Sequence, residues 1–194
     1  MQLIPIFVDE TSGEGLYSAH YKEEDEDELT RNLDLWRDPQ YVLEYLLSNK
    51  ECLEVPYFKN SSIDSIALKV ESEAIELERL LCHLTKRGFK HTGSNLQELF
   101  KPLENNEYSL YIHQQSKAVI DDHHFPRPIL RIYALRISSN TYVITGGAIK
   151  LTKEMREHDD TVKELDKLTK VKQFLIANEL SSEEEIKEFL YEQF

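Results

Sequence analysis

The chain has 194 residues, 40% hydrophobic and 30% charged, with only 6 Gly and 6 Pro. That length carries one domain with a substantial core, and the composition is ordinary for a globular protein. The longest apolar runs, such as residues 129–137, are broken by arginine and are too short to span a bilayer. The formal net charge of -13 argues against a general nucleic-acid binder, because phosphate contacts need Lys and Arg. Its distribution says more than its total. Residues 1–60 carry a net -9, 61–89 a net -1 and 156–194 a net -5, whereas residues 90–155, with 8 basic and 6 acidic groups, are net +2.

The first residues, Met1-Gln2-Leu3-Ile4-Pro5-Ile6, lack the basic and apolar regions of a signal peptide. Cys52 and Cys82 both lie in helical-looking apolar patterns and read as reduced core residues. A soluble, cytoplasmic protein is therefore expected, with no membrane partner. Residues 3–8 read as a strand, and residues 16–21 as a second after the turn chemistry of residues 9–15. The acidic run 23–28 favours a helix start and precedes Leu29, Leu33, Leu35 and Trp36. That helix should stop near Asp38-Pro39, with Pro39 opening the next, which presents Tyr41, Val42, Tyr45 and Leu46.

The clearest helix is residues 62–87. Ile63, Ile66, Val70, Ala74, Leu77, Leu81 and Leu84 form one apolar stripe, and Gly88 ends it. A turn of helix at Leu96, Leu99 and Phe100 leads to a Lys101-Pro102-Leu103 turn, an alternating strand over 108–113 and a polar loop over 114–128. Residues 129–137 and 141–150 are two apolar runs joined by Ser138-Ser139-Asn140, a hairpin pattern. Gly146-Gly147 reads as a bulge or a close approach rather than a phosphate cradle. Asp160 is the expected cap of a helix with Val162, Leu165, Leu168, Val171 and Leu175 on one face, and Ser181-Ser182-Glu183-Glu184 opens a last short one. In Asp121-Asp122-His123-His124, adjacent histidines lack a recognised ligand spacing, so no metal and no cofactor are expected.

The segments KPLENNEYSLYIH (101–113) and ILRIYALRISSNTYVITGGAIKLTKEM (129–155), following the long helix and preceding another, resemble the RelE/ParE/HigB superfamily of bacterial toxins, the HigB branch in particular. Leu130-Arg131-Ile132-Tyr133 matches one strand of that pattern, and Gly146 to Lys153 its exit. The resemblance covers residues 62–178. It departs from the usual small, basic member in size and acidity, and Leu151-Thr152 separate two lysines that are usually adjacent.

The resemblance implies an α+β fold: a small antiparallel sheet packed against helices. It divides a single domain, 1–194, into an N-terminal α-rich extension (1–60), a toxin-like core (61–178) and a short C-terminal helix (179–194). It also implies an mRNA interferase, which uses a 2′-OH to attack the adjacent phosphate, acting on mRNA or the ribosome. Such a toxin is neutralised by a cognate helix-turn-helix antitoxin, and a homodimer is compatible with it. Under that reading Arg131 and Lys150 supply positive charge. Tyr133 or His113 transfers the proton. Lys153, Arg127 and Lys101 bind phosphate. The same residues admit plainer roles: Tyr133 as core, Arg131 in a structural ion pair, His113 as a surface residue. A catalytically inactive binding or regulatory relative, or a gyrase-directed ParE-like toxin, therefore stays open.

Overall fold

Among the described residues of the computed structural model (1–90, 93–104, 109–120, 127–152 and 159–192), six strands form one sheet. They are β1 (Gln2–Val8), β2 (Gly15–His20), β3 (Phe100–Pro102), β4 (Gln114–Ala118), β5 (Leu130–Arg136) and β6 (Tyr142–Ile149). The order across the sheet is β1-β2-β6-β5-β4-β3. All neighbours are antiparallel except β2 and β6, which run parallel from Leu16↔Tyr142 to Ser18↔Ile144. The fold is α+β, as expected. The small antiparallel sheet expected is corrected to a six-stranded mixed one, because residues 1–60 add two strands to it as well as helices.

The helices are α1 (Glu28–Arg37), α2 (Pro39–Ser48), α3 (Ile63–Gly88), α4 (Asp159–Ala177) and α5 (Glu183–Glu192). Alternation along the strands divides the apolar residues between two cores. Leu130, Ile132 and Ala134 of β5 pack with Trp36, Val70, Leu77 and Leu81 from α1 and α3. Tyr133 and Leu135 point the other way, to Leu168, Val171 and Leu175 of α4 and Ile186 of α5. Each fully buried aliphatic side chain on these faces contributes roughly 1.5–3 kcal/mol relative to exposure. No helix among the described residues is long and apolar enough to cross a membrane.

The α3 stripe lies where the spacing puts it: Ile66, Val70, Ala74, Leu77, Leu81 and Leu84 are buried. Ser62 caps the helix by accepting from the Ser65 amide, and Lys86 and Arg87 sit in its last turn. Three sequence expectations are corrected. The acidic run is not helical before Glu28; Asp27 is the cap, accepting from the Leu29 and Thr30 amides. The α4 helix begins at Asp159, so Asp160 lies inside it. The strand expected over 108–113 and the loop after it are displaced. Described residues 109–113 are not strand, and Leu110, Tyr111 and Ile112 are exposed. The chain turns at His113 (φ 59), and β4 is the polar segment that follows. Lys101 and Pro102 belong to β3, paired with Lys117 and Ser116.

The hairpin of β5 and β6 contains a register shift between Tyr133 and Ala134, beside the two glycines. Both glycines admit a neighbour that a Cβ would exclude. At Gly146 the Cβ would fall 1.7 Å from Oε2 of Glu164, and at Gly147 2.7 Å from Cη2 of Trp36. The reading of this pair as close packing is the observed one.

Candidate functional site

The exit of β6 and the entry of β5 lie side by side, with the Lys150 amide donating to the Ile129 carbonyl (2.7 Å). Alternation places Arg131 and Lys150 on one side of the sheet, diagonal to each other, since Arg131 pairs with Ala148. Beside them opens a cleft of about 670 Å³, lined by Arg127, Arg131, Lys150 and Thr152 and by an apolar wall of Val55, Pro56, Tyr57 and Phe58. No acidic side chain is among its described lining residues. Three guanidinium or ammonium groups thus line one concave surface in a chain of net charge -13.

The two arginines are each held by a local device. Arg131 donates through one guanidinium nitrogen to the carbonyls of Pro128 (2.8 Å) and Leu130 (2.6 Å), which fixes its direction at the strand entry. Arg127 has a left-handed backbone (φ 51) and lays its guanidinium 4.9 Å from the centroid of the Tyr57 ring. Below them, Glu73 of α3 is fully buried, and its Oε2 accepts from the amides of Ile129 and Leu130, both at 2.8 Å. Burial pushes the Glu73 carboxyl above its ordinary range against the pull of those two amides and of Lys69 and Arg131. The long helix is thereby tied to the strand that carries Arg131.

The structure brings together Arg127, Arg131 and Lys150 along the cleft, and Tyr133, His113 and Lys101 are not among its lining residues. Tyr133 is 1% exposed and faces α4; its hydroxyl finds no hydrogen-bond partner among the described residues. Burial holds that phenol far above its usual range. His113 is buried at the opposite end of β5, where its amide donates to Arg136 and its ring Nε2 lies 2.7 Å from the Leu180 carbonyl. Arg136 is five residue steps along β5 from Arg131, about 16 Å at ~3.3 Å per residue. Lys101 lies on β3, at the far edge, with its ammonium 3.4 Å from the Gln97 carbonyl. Lys153 and the Asp121-Asp122-His123-His124 run lie outside the described residues.

Two residues absent from the sequence reading stand near these cations: Tyr57 lines the cleft, and Lys117 lies close enough to Arg131 to feel its charge. Lys117 on β4 pairs with Tyr133, which puts it on the Arg131 face, diagonal to Arg131. Burial and then the charge of Arg131 hold its ammonium below the ordinary lysine value. Tyr57 reaches the cleft from the turn before α3, where its hydroxyl accepts from Lys69 and donates to the Arg127 carbonyl (3.2 Å). Lys117 could have been found from strand periodicity had β4 been recognised. Nothing local marks Tyr57, which lies in an irregular segment 74 residues before Arg131.

A second polar cluster links α1 and α4. Glu28 (0% exposed) and Glu164 (5%) approach the same Lys167 ammonium, at 2.8 and 3.0 Å. Glu28 also accepts from Arg31 (2.9 Å) and Asn32 (3.2 Å). Glu164 Oε2 has no partner among the described residues, and burial pushes the Glu164 carboxyl up to about 7 despite Lys167. This cluster joins α1, α4 and the sheet. Protein-family models, curated proteins and solved structures show no match to the chain.

Proposed function

We propose that the protein acts on RNA at the cationic cleft, as the toxin half of a toxin-antitoxin pair. The observation that carries this reading is the convergence of Arg127, Arg131 and Lys150 on one concave surface in an otherwise acidic chain. A run of guanidinium and ammonium groups beside apolar and aromatic side chains suits a phosphodiester backbone with its bases unstacked. The toxin-like order of residues 62–178, a long helix, strands, a hairpin and a helix, agrees with it. The partner implied is a cognate antitoxin that covers the cleft.

A second reading, a non-cleaving binding or regulatory relative, is favoured by one observation: Tyr133 and His113 are buried and neither lines the cleft. Induction in a bacterial host tests the first. Growth should arrest, and Arg131→Ala with Lys150→Ala should restore it, with new 5′ ends in mapped transcripts for the parent only. Arrest that persists in the double variant removes the cleft from the activity. Arrest without new transcript ends moves the target away from RNA.

A further inference from the structure

We propose that Tyr57 is the general acid of the cleft, delivering a proton to the leaving oxygen of a cleaved RNA. The inference rests on the reading of the cleft as an RNA site, and it supplies the proton-transfer group that Tyr133 and His113 do not. Tyr57 lines the same cleft as Arg127, Arg131 and Lys150. Its hydroxyl is the one phenol there, among the described lining residues, and it is fixed from two sides. Lys69 of α3 donates to the oxygen, and the hydroxyl proton points to the Arg127 carbonyl at 3.2 Å. Lys69 is itself oriented, by the Arg127 carbonyl (2.9 Å) and by buried Glu73 one helical turn on (3.7 Å). Glu73, Lys69 and Tyr57 thus form a chain from the core to the cleft surface.

That chain suits an acid more than a base. A neutral phenol beside an ammonium gives up its proton to a developing alkoxide, and the phenolate left behind faces the positive charge. In the reaction, the 2′-oxygen bonds to phosphorus and its proton passes to water. The bond from phosphorus to the 5′-oxygen breaks, and that oxygen takes the Tyr57 proton. The product ends are a 2′,3′-cyclic phosphate and a 5′-hydroxyl. Water then returns a proton to the phenolate. Arg127, Arg131 and Lys150 bear the extra negative charge of the phosphorane.

The experiment compares the full-length parent with Tyr57→Phe, which keeps the aromatic ring under Arg127 and loses only the hydroxyl. Binding of a labelled unstructured RNA is read by anisotropy, and cleavage by single-turnover rate. Equal binding is expected, with cleavage slower by about 100-fold, the usual scale for a missing acid. An RNA with sulfur in place of the scissile 5′-oxygen carries a leaving group that needs no proton, and the variant should cut it at the parent's rate. Parent-like cleavage of ordinary RNA by Tyr57→Phe overturns the proposal and leaves the RNA site standing. So does a parent that binds RNA at the cleft and never cuts it. A parent that binds no RNA overturns both.

Discussion

Glu73→Ala should lower the unfolding free energy by about 3–5 kcal/mol, the largest single-residue loss expected outside the apolar cores. The carboxylate is fully buried and is the acceptor for two consecutive backbone amides, Ile129 and Leu130, at 2.8 Å each. Truncation leaves both donors buried without a partner, and each such donor costs about 1–3 kcal/mol. Relief of the carboxylate's own desolvation offsets part of that loss. Glu73→Gln keeps an acceptor oxygen and should cost less. The urea midpoints of the two variants measure the difference. A loss under about 1 kcal/mol for alanine means that the amides find other acceptors and that α3 does not hold the strand entry. Ile129 and Leu130 lie between Arg127 and Arg131, which both line the cleft, so the same substitution tests how far the cleft depends on α3.

Stability should fall as pH rises from 5 to 8, and Glu164 should be the cause of most of that fall. Its folded-state carboxyl lies at about 7, against an unfolded value of 4.5, because burial opposes ionisation more than Lys167 favours it. The folded protein therefore binds more protons than the unfolded chain between those two values. Its extra stability is fully present below pH 4.5 and is lost as pH passes through 7. The size of the effect is on the order of 3 kcal/mol. Glu28 is engaged by Arg31, Asn32 and Lys167, while Oε2 of its neighbour Glu164 lies against Gly146. Glu164→Gln should flatten the profile, gaining on the parent as pH rises. Parallel profiles for parent and variant would show that the carboxyl ionises freely at neutral pH.

Local periodicity carried much of the fold into the sequence. The α3 stripe, the Pro39 helix start and the β5–β6 hairpin are each set by residues within one element, and each is found where its pattern puts it. What was hidden depends on contacts between distant segments. Gln114-Gln115-Ser116-Lys117-Ala118 has no apolar alternation, yet it is an inner strand because β3 and β5 satisfy its backbone on both sides. Leu110, Tyr111 and Ile112 alternate less usefully: the backbone reverses at His113 before they can pair. That β2 would lie parallel to β6 is a property of the whole sheet and has no local mark.

The site divides the same way. Arg131 and Lys150 were legible because strand alternation and hairpin register fix both at once. Tyr133 shares that alternation with Arg131, but the same side of the sheet is covered at its level by α4, so it becomes core. Glu164 could have been noticed, since it falls in the buried 4-3-4 register of Leu168, Val171 and Leu175. Tyr57 could not, because its place depends on how the segment before α3 folds over the end of the sheet.

Binding of a labelled single-stranded RNA across a salt series tests most directly whether Arg131 and Lys150 meet RNA phosphates. With both residues changed to alanine, the slope of log affinity against log salt should shrink by about 1.4, the share of two phosphate contacts, and affinity should fall at every salt concentration. An unchanged slope with unchanged affinity would place any RNA elsewhere on the protein and contradict the account.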